Sequence, residues 1–111
     1  MPVQKWDDDT LVVHLSDDPV LSEDMAEVNT RLDDIPRDVV LDFSDVTLLT
    51  SSGISALLRL RKRQIEAKRR LVLCSPRDTV WSVFLSTGID AIFEFAGNVA
   101  QALARIQSER T

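Results

Sequence analysis

The stretch "VVLDFSDVTLLTSSGISALLRL", residues 39–60, runs from an apolar, β-branched segment into a helical one. The junction between them holds three hydroxyl residues, Thr50, Ser51 and Ser52, and the first of only three glycines in the chain, Gly53. Val39 to Phe43 read as a mostly buried strand, since β-branched and aromatic side chains pack well on a pleated surface. Beyond the junction the period changes. Ile54, Leu57, Leu58, Arg61 and Ile65 recur at helical spacing with only Arg61 polar, which predicts a helix from about Ser52 to Ala67. A strand feeding a helix places the junction where open α/β sheets concentrate function, at the carboxyl end of the strand.

The same alternation extends in both directions. Upstream, "VQKW" and "TLVVHL" flank the acidic turn Asp7 to Asp9 and predict a hairpin, with Leu11, Val13 and Leu15 on one face and Val12 and His14 on the other. "SEDMAEVNTRL" predicts a first helix with Ser22 as N-cap, Glu23 and Asp24 in its first turn, and Met25, Val28 and Leu32 inward; "DIPRD" ends it. Downstream, "LVLC" is a strand. "SPRD" predicts a helix start with Ser75 as N-cap, Pro76 at the first position and Asp78 completing a capping box. That helix packs Val80, Trp81, Phe84 and Leu85 and stops at Gly88. "AIFEF" is a short last strand, and Asn98 caps a final helix turning Val99, Ala102, Leu103 and Ile106 inward. The order ββαβαβαβα implies parallel neighbours after the hairpin. The expected fold is therefore α/β, a single domain over residues 1–111, with a mixed, mostly parallel sheet and about four packed helices.

Composition narrows the function. The 111 residues are 44% hydrophobic, enough for one core. No apolar run is long enough to span a membrane, and "MPVQKWDDDT" has no signal-peptide pattern, so a soluble, cytoplasmic protein without membrane insertion is expected. The net charge of −5 hides a division: residues 1–50 carry 13 acids and 3 bases, residues 51–111 carry 5 and 10. The bases concentrate in "RLRKRQIEAKRR", where Arg59, Lys62, Arg63 and Glu66 fall at helical spacing, as on a solvated face. No aromatic is interleaved with them, so direct nucleic-acid binding is not expected. The single Cys74 and single His14 form no metal-ligand pattern, and each reads as a structural residue of its strand. No nucleophile elbow, carboxylate pair or P-loop lysine is present, so neither an enzyme nor a cofactor is expected.

The Thr50–Gly53 junction has two readings on its own residues. It can be a helix cap, with Ser51 or Ser52 bonding the first turn and Gly53 permitting close packing. It can also present a hydroxyl at the positive end of a helix dipole, where a phosphate is favoured.

The segment from Val39 to Asp90 resembles the STAS domain family, and within it the bacterial anti-sigma factor antagonists. "LDFSDV" stands for the family's strand end, "TSSG" for its "DSSG" or "DSTG" loop and "STGI" for its closing segment. The resemblance implies that Ser51 accepts a phosphate from a partner kinase that is also the anti-sigma factor. Thr50, Ser52 and Gly53 then form the phosphorylation loop, and a phosphatase would reset the switch. Ser55 and Arg59, at the exposed start of the following helix, together with Asp18 and Ser22, are the candidate partner surface. Two departures stand out. Thr50 replaces the family's acidic residue, and "LSDDPVLSEDM" lacks the glycine and "LD" of the family's first loop, so Asp17, Asp18 and Ser22 lie only near the family's aspartate there. The alternative implied function is an unphosphorylated STAS scaffold or docking subunit of a larger assembly such as a transport ATPase.

Overall fold

The structure is a computed structural model, and it describes residues 3–109. Five strands form one sheet in the order β1-β2-β3-β4-β5: β1 (Val3–Asp7), β2 (Thr10–Ser16), β3 (Asp38–Asp45), β4 (Leu71–Cys74) and β5 (Glu94–Ala96). Only β1 and β2 are antiparallel; β2 through β5 run parallel, as strands joined by helical crossovers must. The crossovers are α1 (Val20–Asp34), α2 (Ser51–Glu66) and α3 (Asp78–Thr87), the last followed by a 3₁₀ turn at Ile89–Ala91; α4 (Val99–Glu109) follows β5.

Strand alternation divides the interior as the sequence implied. Leu11, Val13 and Leu15 of β2, Val39, Leu41 and Phe43 of β3, and Leu73 of β4 meet α1, α2 and α3 in the larger core. Val12, Val40, Val72, Cys74 and Ala96 point the other way, to Ala102, Leu103 and Ile106 of α4. β3 is buried on both faces from Asp38 to Phe43, which explains its continuous apolar run. Burial pushes the Cys74 thiol up to about 12, and the neighbouring Asp42 carboxylate adds to the shift, so it packs as an inert hydrophobe. His14 pairs with Asp42 across β2 and β3 at 2.8 Å.

Several predicted boundaries move, each for a local reason. α1 begins at Val20 and not at Ser22, because the carboxylate of Asp18 accepts from the Ser22 amide at 3.0 Å and its hydroxyl at 2.6 Å; Ser22 lies inside the first turn. Ser75 does not cap α3. It takes the left-handed conformation, φ 57°, and donates to the Gly97 carbonyl, while Arg77 occupies the N-cap position without a side-chain capping bond, its Nε donating to the Ser44 carbonyl at 2.7 Å. The "AIFEF" strand shortens to Glu94–Ala96 because the 3₁₀ turn takes its beginning. The ends of α3 and α4 are as read: Gly88 closes α3 at φ 78°, and the Asn98 side chain accepts from the Gln101 amide at 2.8 Å.

The largest correction concerns the buried stripe of α2. Gly53, Leu57, Leu60 and Gln64 face inward, whereas Leu58 and Ile65 are exposed and Ile54 and Arg61 lie at the margin. Gln64 tips the balance. Its side-chain amide donates to the carbonyls of Arg37 at 2.7 Å and Arg70 at 2.9 Å, tying the end of α2 to the entries of β3 and β4. A buried amide with both bonds made costs little, so the helix rotates to seat it and leaves Ile65 outside. Leu85 of α3 is also exposed, although Val80 and Phe84 are buried as predicted.

Asp24, on the inner side of α1, is buried with one carboxylate oxygen lacking a hydrogen-bond partner among the described residues. Burial, with the nearby Glu27 and Glu23 carboxylates, raises its pKa above the ordinary 3.8. A folded-state pKa that is raised opposes folding once the group ionises; the penalty grows as pH climbs from 3.8 and is complete above the folded value. Asp24→Asn is therefore expected to raise unfolding free energy at pH 7, by about 1 kcal/mol. In urea titrations the gain should vanish below about pH 3.8, where the wild-type carboxyl is neutral in both states.

Candidate functional site

Strand β3 delivers the chain to a loop, Val46 to Thr50, that is anchored at every second or third residue. Val46 and Leu49 are buried in the larger core. Between them, the Thr47 amide donates to Asp17 at 2.8 Å, its hydroxyl bonds the same carboxylate, and its carbonyl accepts from the Thr79 hydroxyl at 3.0 Å. The Leu48 amide also reaches Asp17, at 3.2 Å, while the Leu48 side chain is 65% exposed.

Thr50 is the N-cap of α2, in place of either serine. Its backbone is extended, φ −87° and ψ 166°, and its hydroxyl oxygen accepts from the Gly53 amide at 3.1 Å. The same hydroxyl donates to the Asp18 carboxylate at 3.1 Å. Thr50 thus takes the structural task that one reading of the junction gave to Ser51 or Ser52. Those two serines stand at the first and second helical positions, exposed, and their hydroxyls make no hydrogen bond among the described residues. Gly53 is buried below them, and a Cβ there would come within 3.0 Å of a Leu49 methyl and 3.8 Å of Leu21. Close packing of α2 on the loop and on α1 is what the glycine permits.

The structure brings Asp18 and Ser22 to this junction: Asp18 bridges Thr50 and Ser22. Ser22, Ser52 and Arg59 line one groove of about 240 Å³ between α1 and α2, together with Met25 and Asn29. Ser55 is exposed on α2 but does not line that groove. Asp17, Thr47 and Leu48 were missed as site residues. The adjacent acids in "LSDDPV" were a visible signal, but only the fold shows that Asp17 and Asp18 reach the loop thirty residues onward.

Both carboxylates are held in their charged forms. Hydrogen bonds from Thr47 and Leu48 lower the pKa of Asp17, with help from Arg77; hydrogen bonds from Ser22 and then Thr50 lower that of Asp18. The site therefore presents two free hydroxyls at a helix N-terminus, backed by two ionised acids and flanked by an exposed leucine.

Comparison with known proteins now fixes the family. The STAS domain family matches residues 4–102, nearly the whole chain, and the chain belongs to it. BtrV of Bordetella bronchiseptica, whose name places it provisionally among anti-sigma factor antagonists, is 30% identical over 83 residues, covering 75% of this chain and 72% of its own. The fold is shared with the anti-sigma factor antagonist SpoIIAA, solved in its unphosphorylated form: TM-score 0.79, 23% identity, 96% of this chain and 95% of that one. RsbS of Moorella thermoacetica has the same fold, with TM-score 0.78 and 17% identity over the full length of both chains. Among the described residues no helix is long and apolar enough to cross a membrane.

Two outcomes are expected from this geometry. Thr50→Ala removes the cap and should lower unfolding free energy by about 1 kcal/mol, while Thr50→Ser retains it. Asp17 has a depressed pKa, so its contribution is present above 3.8 and is lost as pH falls through the folded value. Asp17→Asn should reduce hydrogen-exchange protection of the Thr47 and Leu48 amides at neutral pH, and the wild type should show the same loss on acidification below pH 3.8.

Proposed function

We propose that this chain is an anti-sigma factor antagonist controlled by reversible phosphorylation of Ser51 by a partner anti-sigma kinase, acting as a cytoplasmic binding module and not as an enzyme. One observation carries the reading. Thr50 caps α2 by itself, which leaves the Ser51 hydroxyl exposed and without a hydrogen bond among the described residues, at the positive end of a 16-residue helix. A hydroxyl so placed is modified without disturbing the cap.

The family's acidic residue before the serine is Thr50 here, but the Asp18 carboxylate lies 3.1 Å from the Thr50 hydroxyl. The acid a kinase would meet is supplied by the start of α1 in place of the loop. This favours the kinase-switched antagonist over the scaffold or transport-subunit reading, whose main support was that missing acid.

The switch follows from charge. A phosphate on Ser51 adds about −1.5 to −2 charges at pH 7. The helix dipole tolerates it, and Asp17 and Asp18, both ionised, turn it outward by repulsion. The partner-facing surface formed by Leu48, Ser51, Ser52, Ser55 and Arg59, with Asp18 and Ser22 beside it, becomes strongly negative while the fold stays fixed. The unphosphorylated chain then binds the kinase, the phosphoserine form binds it weakly, and a phosphatase restores binding.

Site-mapped phosphoproteomics and intact mass on the protein from its native cells should show a phosphate on Ser51 whose occupancy changes with growth conditions. With the co-purified kinase, Ser51→Asp should bind at least about tenfold more weakly than wild type, about 1.4 kcal/mol, and Ser51→Ala should bind normally. Phosphate confined to Ser52, or equal affinity of Ser51→Asp, would overturn the assignment.

A further inference from the structure

The far end of α2 carries a second apolar surface. Ile65, 57% exposed, and Ile92, 43% exposed, form the lips of a groove of about 210 Å³ whose lining includes Leu71 and Phe93. Its floor is rigid, since Gln64 is bonded to two strand carbonyls and Phe93 is buried. Two exposed isoleucines stand over a depression in which Leu71 and Phe93 sit beside the polar Gln64 and the Arg70–Glu94 ion pair, a preformed seat for one bulky side chain with a polar neighbour.

The charges around the groove are unequal. Arg69 is paired with Asp9 and Asp38, and Arg70 with Glu94 and Glu109. Arg61 is different. Its Nε donates to the Ile92 carbonyl at 3.1 Å, which fixes the guanidinium beside the lip, and it meets no carboxylate among the described residues. A fixed guanidinium without a counter-ion, next to an apolar seat, complements a carboxylate carried close to an apolar anchor.

We infer that this groove is a second protein-docking site, and that its occupant is a segment of a partner protein bearing a bulky apolar residue with an aspartate or glutamate within one turn or two residues of it. The groove lies about 20 Å along α2 from Ser51. One partner at the phosphorylation loop and another at Arg61 can therefore be held together, and the second is retained whichever state Ser51 is in. The domain would then keep its switch tethered to a fixed location while the kinase comes and goes.

The test places a photo-crosslinking benzoylphenylalanine at Ile65 of the full chain in its native cells, with the same probe at exposed Leu85 as control, and sequences the crosslinked peptide. A synthetic copy of that peptide is then titrated against the purified chain by fluorescence anisotropy. The expected result is a discrete foreign peptide with an apolar residue and a neighbouring acid, captured at 65 and not at 85. Its affinity should fall about tenfold or more in Arg61→Glu and in Ile65→Asp, both checked for native circular dichroism, and stay unchanged in Ser51→Asp. Crosslinks only to a second copy of this chain, peptides lacking an acid, no discrete product at 65, or affinity indifferent to Arg61→Glu would each overturn the inference. Because the readouts use different residues, loss of the Ser51 effect with Arg61 dependence intact would refute the phosphorylation switch alone.

Discussion

Two adjacent carboxylates at the corner between β2 and α1 hold the functional loop in place. Asp17 fixes the backbone of Thr47 and Leu48, and Asp18 fixes Thr50 and the first turn of α1. Without them, the segment between β3 and α2 would keep its two apolar anchors, Val46 and Leu49, and the bond from Thr79 to the Thr47 carbonyl. With them, every polar group needed for structure is supplied by Asp17, Asp18, Thr47, Thr50 and Thr79, and the serines are left for other work. Structural and chemical roles fall on adjacent hydroxyl residues of the same short motif. Loops that carry function are usually held by a rigid scaffold in this way.

Part of the split in charge along the chain is taken up within the fold. Bases of the second half close on acids of the first: Arg63 on Asp33, Arg69 on Asp9 and Asp38, and Arg77 near Asp17. Parallel crossovers cause this, because they return each helix and strand beside elements from earlier in the sequence. Exposed pairs of this kind add little stability. Their consequence is electrostatic: Arg63 and Arg69 are occupied by first-half acids and Lys62 and Arg70 by nearby glutamates, so Arg59 and Arg61, which meet no carboxylate among the described residues, stand out as recognition features.

Much of the architecture was legible because it follows from period and punctuation. The hairpin, the two faces of β2, the Gly88 stop and the Asn98 cap all rest on interactions within a few residues, and each stands where the sequence places it. The errors share a different origin. Ser22, Ser51 or Ser52, and Ser75 were each assigned a cap by local spacing, and each lost it to a contact that sequence distance conceals or to a neighbour better placed. Ser22 bonds Asp18 within the first turn, Thr50 caps α2 one residue early, and Ser75 turns toward Gly97 in the turn after β5. The site itself was half visible. "TSSG" located the loop, but the two aspartates that hold it come from another strand end, and no spacing rule links positions 17 and 47.

The rotation of α2 joins these points. Counting apolar residues alone favours a stripe through Ile54, Leu57, Leu58, Arg61 and Ile65; the fold keeps Leu57 and otherwise chooses Gly53, Leu60 and Gln64. Two constraints at opposite ends of the helix select that face. At the start, only Gly53 can lie against Leu49 and Leu21 at the observed distance, and at the end the Gln64 amide finds both of its acceptors in the carbonyls of Arg37 and Arg70, just ahead of β3 and β4. Turning the helix by even one position would lose both. The same rotation has opposite effects along its length: it lifts Ser51 and Ser52 clear of the core at one end and exposes Ile65 beside Arg61 at the other. A single packing decision therefore sets what α2 presents at both of its ends, and it was made by a glycine and a glutamine rather than by the helix's hydrophobic residues.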